Sequence, residues 1–173
     1  LVACLNEPGA LAEEMRQAGI PVFAMHKRGP LDVRAFWRLR RLIRTQRIGV
    51  VHTHLWGANV WGRLAAWSCG VLVVTTEHNI DSWKSRRRLA IDRQLLPITG
   101  AFVAVSDAVK TFYASQGIPQ ARIEVVRNGI EVERFPASRR SLLFDALGWP
   151  EHAPVFASIG RLTRVKDQAT FVD

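Results

Sequence analysis

The residues able to do chemistry in this sequence fall at the ends of short apolar runs. Val155–Ile159 reads as a buried strand that opens into Gly160 and Arg161, with Lys166 five residues beyond Arg161. Glycine lets a backbone approach an anion, arginine offers a planar fork of donors, and lysine adds a mobile point charge. Those residue types at that spacing suit a diphosphate. His52 and His54 sit at the end of the apolar run around Val50-Val51, where strand alternation turns both rings to one face. A metal pair must be weighed, but no carboxylate or cysteine lies near them in sequence. A structural role or a place on the rim of a ligand crevice fits them better. Glu77-His78-Asn79 closes the next apolar run. There a carboxylate and an imidazole can orient hydroxyl groups, handle a proton, or simply brace a loop. Of the two, His78 is favoured over Glu77 as the ligand contact. Ser106-Asp107 and Asn128-Gly129 close the two runs after that. Capping explains Ser106 and turn chemistry explains Asn128, although both positions also face where a crevice would lie.

These residues must be held by elements, and the elements alternate. Strands are expected over 1–5, 21–25, 49–52, 71–76, 101–105 and 123–127. Helices are expected over 10–17, 32–46, 58–68, 82–96 and 106–116, with Asp32 and Ser106 as caps. The strands are short and apolar on both faces, which predicts a parallel sheet covered on both sides, the doubly wound α/β arrangement. Ligands of such sheets bind outside the carboxyl ends of the strands, where the residues above fall. Residues 1–135 are therefore expected to form one Rossmann-like domain. Residues 136–153, with Pro136, Arg139, Arg140, Gly148 and Pro150, read as an interdomain linker, and 154–173 as the start of a second domain.

Composition narrows the partners. The 173 residues carry a net charge of +9, which points to a nucleotide, an anionic membrane surface or nucleic acid. The expected helix over 32–46 and the residue after it carry Arg34, Arg38, Arg40, Arg41, Arg44 and Arg47. Phe36, Leu39, Leu42 and Ile43 form an apolar stripe, and Trp37 lies among the arginines. Trp37 amid cations suits a helix resting on anionic headgroups, and the run Lys84-Ser85-Arg86-Arg87-Arg88 is expected to add to that surface or to meet an anionic acceptor. Nucleic acid is disfavoured, because the arginines lie on separate helices and no nucleic-acid-binding motif is present. Cys4 and Cys69 read as reduced core thiols. No apolar run approaches the roughly 20 residues of a membrane-spanning helix.

Taken in order, Val50–His54, Val74–Asn79, Phe102–Asp107, Ile123–Phe135 and Ile159–Leu162 with Lys166 resemble the retaining glycosyltransferases of family 4, two-domain enzymes of the GT-B fold. The resemblance covers nearly the whole chain. It implies that Arg161 and Lys166, beside Gly160, hold the diphosphate of a nucleotide sugar, and that His78 contacts the transferred sugar. It also implies that Asn128-Gly129 lies near the domain hinge and that the first domain receives the acceptor. His54, Glu77, Asn79, Ser106 and Asn128 are the crevice and acceptor candidates. The reaction expected is transfer to a glycan or lipid-linked acceptor with retention of configuration. It is expected without a metal or other cofactor, in cell-surface polysaccharide or glycolipid synthesis, in the cytoplasm and peripheral at the inner face of the plasma membrane. Two family features are absent: the glycine-rich loop after the first strand, and a pair of glutamates seven residues apart. Glu131 stands where aspartate is common. The chain is thus expected to be truncated at both ends and inactive alone. The alternatives are another GT-B sugar-nucleotide enzyme, such as an epimerase or glycan synthase, or a non-catalytic basic α/β module binding membrane or nucleic acid.

Overall fold

The computed structural model describes residues 1–134, 142–150, 154–160, 162–163 and 167–172. The chain divides into two compact units, Leu1–Gly129 and Ile130–Asp173.

The first unit alternates strand and helix: β1 (Val2–Cys4), α1 (Leu11–Gln17), β2 (Val22–Ala24), α2 (Val33–Thr45), β3 (Val50–His54), α3 (Trp56–Trp67), β4 (Leu72–Glu77), α4 (Arg86–Gln94), β5 (Ala101–Ala104), α5 (Asp107–Ser115) and β6 (Ile123–Val125). Every strand pair is parallel, as the apolar runs predict. The strands do not form one sheet, however. β1 pairs with β2, and β3-β4-β5-β6 form a second sheet. A cavity of about 560 Å³ lies between the two, lined by Val2 and Ala3 of β1, by all of β3, by Leu39, Leu42 and Ile43 of α2, and by Ala58 and Gly62 of α3. β1 and β3, both lining it, do not pair.

Two apolar clusters hold the unit. Leu39, Leu42 and Ile43 of α2 pack with Met25 and Ala65, the face the sequence stripe marks. Phe102, Ala104, Val109, Tyr113 and Ile123 form the other, between β5, β6 and α5. Asp32 caps α2 by accepting hydrogen bonds from the Arg34 and Ala35 amides. Ser85 caps α4 through the Arg88 amide, so that helix starts four residues later than the expected 82. Gly62 lets α3 lie directly on β3: a Cβ there would stand 2.3 Å from Thr53 Cγ2.

In the second unit, α6 (Leu142–Leu147) is followed by Trp149, whose ring meets Phe144 edge-on at 5.9 Å, and α7 spans Gln168–Val172. Val155–Ile159, expected as a buried strand, has no regular structure, and Phe156 and Ile159 are 83% and 99% exposed. An apolar run becomes a strand only beside a partner edge, and the described residues of this unit include no strand. Arg161 and Lys166, the expected diphosphate cations, lie outside the described residues, as do 136–141 and 151–153 of the expected linker. Gly160 is exposed in a bend.

Candidate active site

Alternation along β3 and β4 sorts their polar residues onto two faces. The strands pair in register with His54 opposite Thr76 and Thr53 opposite Thr75. On one face, the His52 and His54 rings lie 4.2 Å apart between centres, tilted by 42°, and His52 Nε2 shares a hydrogen bond of 2.7 Å with Thr76 Oγ1. His54 Nδ1 lies 2.8 Å from Nε2 of His78, the first residue past β4. The sequence thus placed His54 and His78 on separate strands, and the fold brings them into direct contact at the carboxyl ends. Burial, and then the charges that His52 and His78 would carry, hold His54 below the ordinary histidine value. This favours the neutral form of His54, and between two neutral rings one N–H meets one lone pair, leaving the outer nitrogen of each ring for a hydroxyl-bearing ligand.

Glu77 turns to the other face. Its side chain is 1% exposed and takes hydrogen bonds from Asn59 Nδ2 at 2.9 Å and Lys84 Nζ at 3.0 Å. Burial raises its carboxyl above the usual value against the opposing pull of Lys84. The expectation of Glu77 at the crevice surface therefore meets a carboxylate enclosed beneath it. Adjacent strand residues point to opposite faces, so His78 and Glu77 do not share one surface. Lys84, expected in an exposed basic run, is also buried. Its ammonium reaches Asp81 and Asp92, each at 3.2 Å, and donates to Tyr113 Oη at 2.6 Å. Tyr113 in turn donates to Asp81 Oδ2 at 2.7 Å, and Arg63 closes the network on Asp92. Burial, then the Glu77 charge, pushes the Tyr113 hydroxyl far up, so it serves only as a neutral bridge.

The other candidates are more dispersed. Asn79 is exposed in the bend after β4, and Asn128 is exposed after β6. Ser106 Oγ accepts from the Val109 amide at 3.2 Å, which is the capping role. Arg127 and Asp107 form an exposed ion pair that ties the loop after β6 to the start of α5. One further arrangement was not anticipated: the Arg88 guanidinium lies 4.9 Å from the ring centres of both Trp56 and Trp83. Among the described residues, no group of three or more His, Cys, Asp or Glu side chains is placed to hold a metal ion.

A parallel Rossmann-like unit with polar residues gathered at its strand ends is the architecture of a GT-B domain. Residues 1–134 match the family described as Glycosyltransferase Family 4, and the chain belongs to that family. It is 31% identical over 142 residues to alpha-maltose-1-phosphate synthase of Mycolicibacterium smegmatis, a match covering 71% of this chain and 36% of the relative. It is 26% identical over 152 residues to the Escherichia coli UDP-Gal:alpha-D-GlcNAc-diphosphoundecaprenol alpha-1,3-galactosyltransferase, covering 82% and 39%. In fold it resembles Anabaena HepE crystallised with UDP, at a TM-score of 0.73 and 21% identity, covering 85% of this chain and 42% of the other. The chain thus spans well under half the length of the relatives it matches.

Proposed function

We propose that the full-length protein containing this chain transfers a sugar from a nucleotide-diphosphate sugar to a glycan or lipid-linked acceptor, with retention of configuration. The observation that carries this reading is the His54–His78 pair at the carboxyl ends of adjacent parallel strands, in a chain of glycosyltransferase family 4. In this reading a free nitrogen of His78 bonds a hydroxyl of the transferred sugar. Gly160, Arg161 and Lys166 receive the diphosphate and offset the charge that grows on it as the bond to the anomeric carbon breaks. The acceptor hydroxyl, brought in on the side of His54, Asn79, Ser106 and Asn128, forms the new glycosidic bond as the anomeric carbon–diphosphate bond breaks, and its proton passes to the leaving diphosphate oxygen. The chemistry needs no metal, because the two cations take the leaving charge.

The product belongs to cell-surface polysaccharide or glycolipid synthesis, at the cytoplasmic face of the membrane. Among the described residues no helix is long and apolar enough to cross a membrane. Exposed Leu31, Val33 and Trp37 beside exposed Arg34, Arg41 and Arg44 support a peripheral contact through α2.

The test is a donor screen on the full-length protein with a range of nucleotide sugars. His78→Ala and Arg161→Ala are each expected to lower kcat/KM by at least about a hundredfold, while residues 1–173 alone show no turnover. Turnover untouched by both substitutions refutes the assignment. Interconversion of a nucleotide sugar with its epimer, without transfer, replaces it with the epimerase reading.

A further inference from the structure

We propose that His54 fixes the tautomer of His78, and so decides whether that ring meets the transferred sugar as hydrogen-bond donor or acceptor. This rests on the reading of His78 as the sugar contact. Two neutral imidazoles 2.8 Å apart need one N–H and one bare nitrogen between them. If the proton sits on His78 Nε2, its Nδ1 is left bare and accepts from a hydroxyl. If the proton sits on His54 Nδ1, His78 carries its own proton on Nδ1 and donates. His78 cannot change alone, because that would set two protons or two lone pairs against each other, so its tautomer follows that of His54.

His54 is itself held. It is the last residue of β3, in register with Thr76, and its ring lies against His52, which is anchored to the Thr76 hydroxyl. Burial favours its neutral form, in which one ring nitrogen carries a proton and the other a lone pair. His54 is thus a positioning residue that acts through His78.

The full-length protein labelled with 15N-histidine tests this through long-range proton–nitrogen correlations, which report the tautomer of each ring directly. His78 should show a single tautomer in the native protein. Asparagine places its amide where Nδ1 stood, whereas glutamine reaches to where Nε2 stood. His54→Asn should therefore preserve the single tautomer, while His54→Gln and His54→Phe should release His78 to an exchanging mixture. The same two releasing variants should lower kcat/KM for the nucleotide sugar about five- to tenfold, with His54→Asn nearer the native value. A mixture in the native protein overturns the proposal, as does an unchanged tautomer in a folded His54→Gln protein. A locked tautomer beside a His78→Ala variant with native donor turnover places the failure in the sugar contact, and the proposal falls with it.

Discussion

Leu55 carries the sharpest local cost in the first unit. It lies between His54 and the first residue of α3, with φ 70° and ψ 150°. That region belongs almost entirely to glycine and costs on the order of 1–3 kcal/mol for other residues. The strain turns the chain abruptly from β3 into α3 and leaves the His54 ring at the strand's end. Leu55→Gly is expected to stabilise the fold by about 1 kcal/mol, since the leucine side chain is largely exposed, and to weaken donor use by loosening His54. Calorimetry and donor kinetics on one preparation check both. His54 also imposes a pH dependence. Its folded value lies below 6.5, so between the two values the unfolded chain binds more protons than the folded one. Stability from this residue therefore rises with pH through that window and is lost on acidification below about 6.5. The urea midpoint of the native protein should drop further between pH 7.5 and 5.5 than that of His54→Gln.

The elements explain what the sequence could and could not disclose. Alternation in β3 and β4 was legible, and with it the shared face of His52 and His54, because the period of a strand is fixed by its backbone. The parallel pairing was legible from runs apolar on both sides. The buried network was not. Lys84 comes from a loop inside a basic run, while Arg63, Asp92 and Tyr113 come from three different helices, and nothing in their spacing marks them as neighbours. If all are ionised, the three carboxylates of Glu77, Asp81 and Asp92 face the two cations Lys84 and Arg63. Removing Lys84 leaves those carboxylates uncompensated. Lys84→Met should cost about 3–5 kcal/mol, read by chemical denaturation. Glu77 behaves in the opposite sense. Its raised value means the folded state holds the proton more tightly, so its contribution worsens as pH climbs above 4.5. Glu77→Gln should be neutral or stabilising at pH 7 and should flatten the stability profile over that range. At the α3–β3 contact, Gly62→Ala drives a methyl into Thr53 and should cost about 1–3 kcal/mol, partly recovered by Thr53→Ser, which removes the methyl that is struck.

For the molecule as a whole, charge makes the accessible forecast. A net +9, with exposed arginines and Trp37 on α2, should bring the protein down with vesicles containing phosphatidylserine and leave it in solution with neutral ones, the difference fading as salt rises. Equal sedimentation with both vesicle types would remove the membrane contact. The order of motifs made the family legible over residues 1–134, where His54, His78, Ser106 and Asn128 each follow or end a strand. The division of the strands into two sheets was not legible, since apolar runs state that a strand is buried and not which neighbour it takes. That division has a material consequence. Along the cavity, β1 and β3 turn toward each other edges that no described strand occupies, each a row of amide and carbonyl groups set in an apolar trough. Such a trough is adhesive to any extended peptide of matching length. Handled alone, this polypeptide should scatter more light as its concentration rises, and an apolar strand-forming peptide supplied in trans should act as a solubilising wedge.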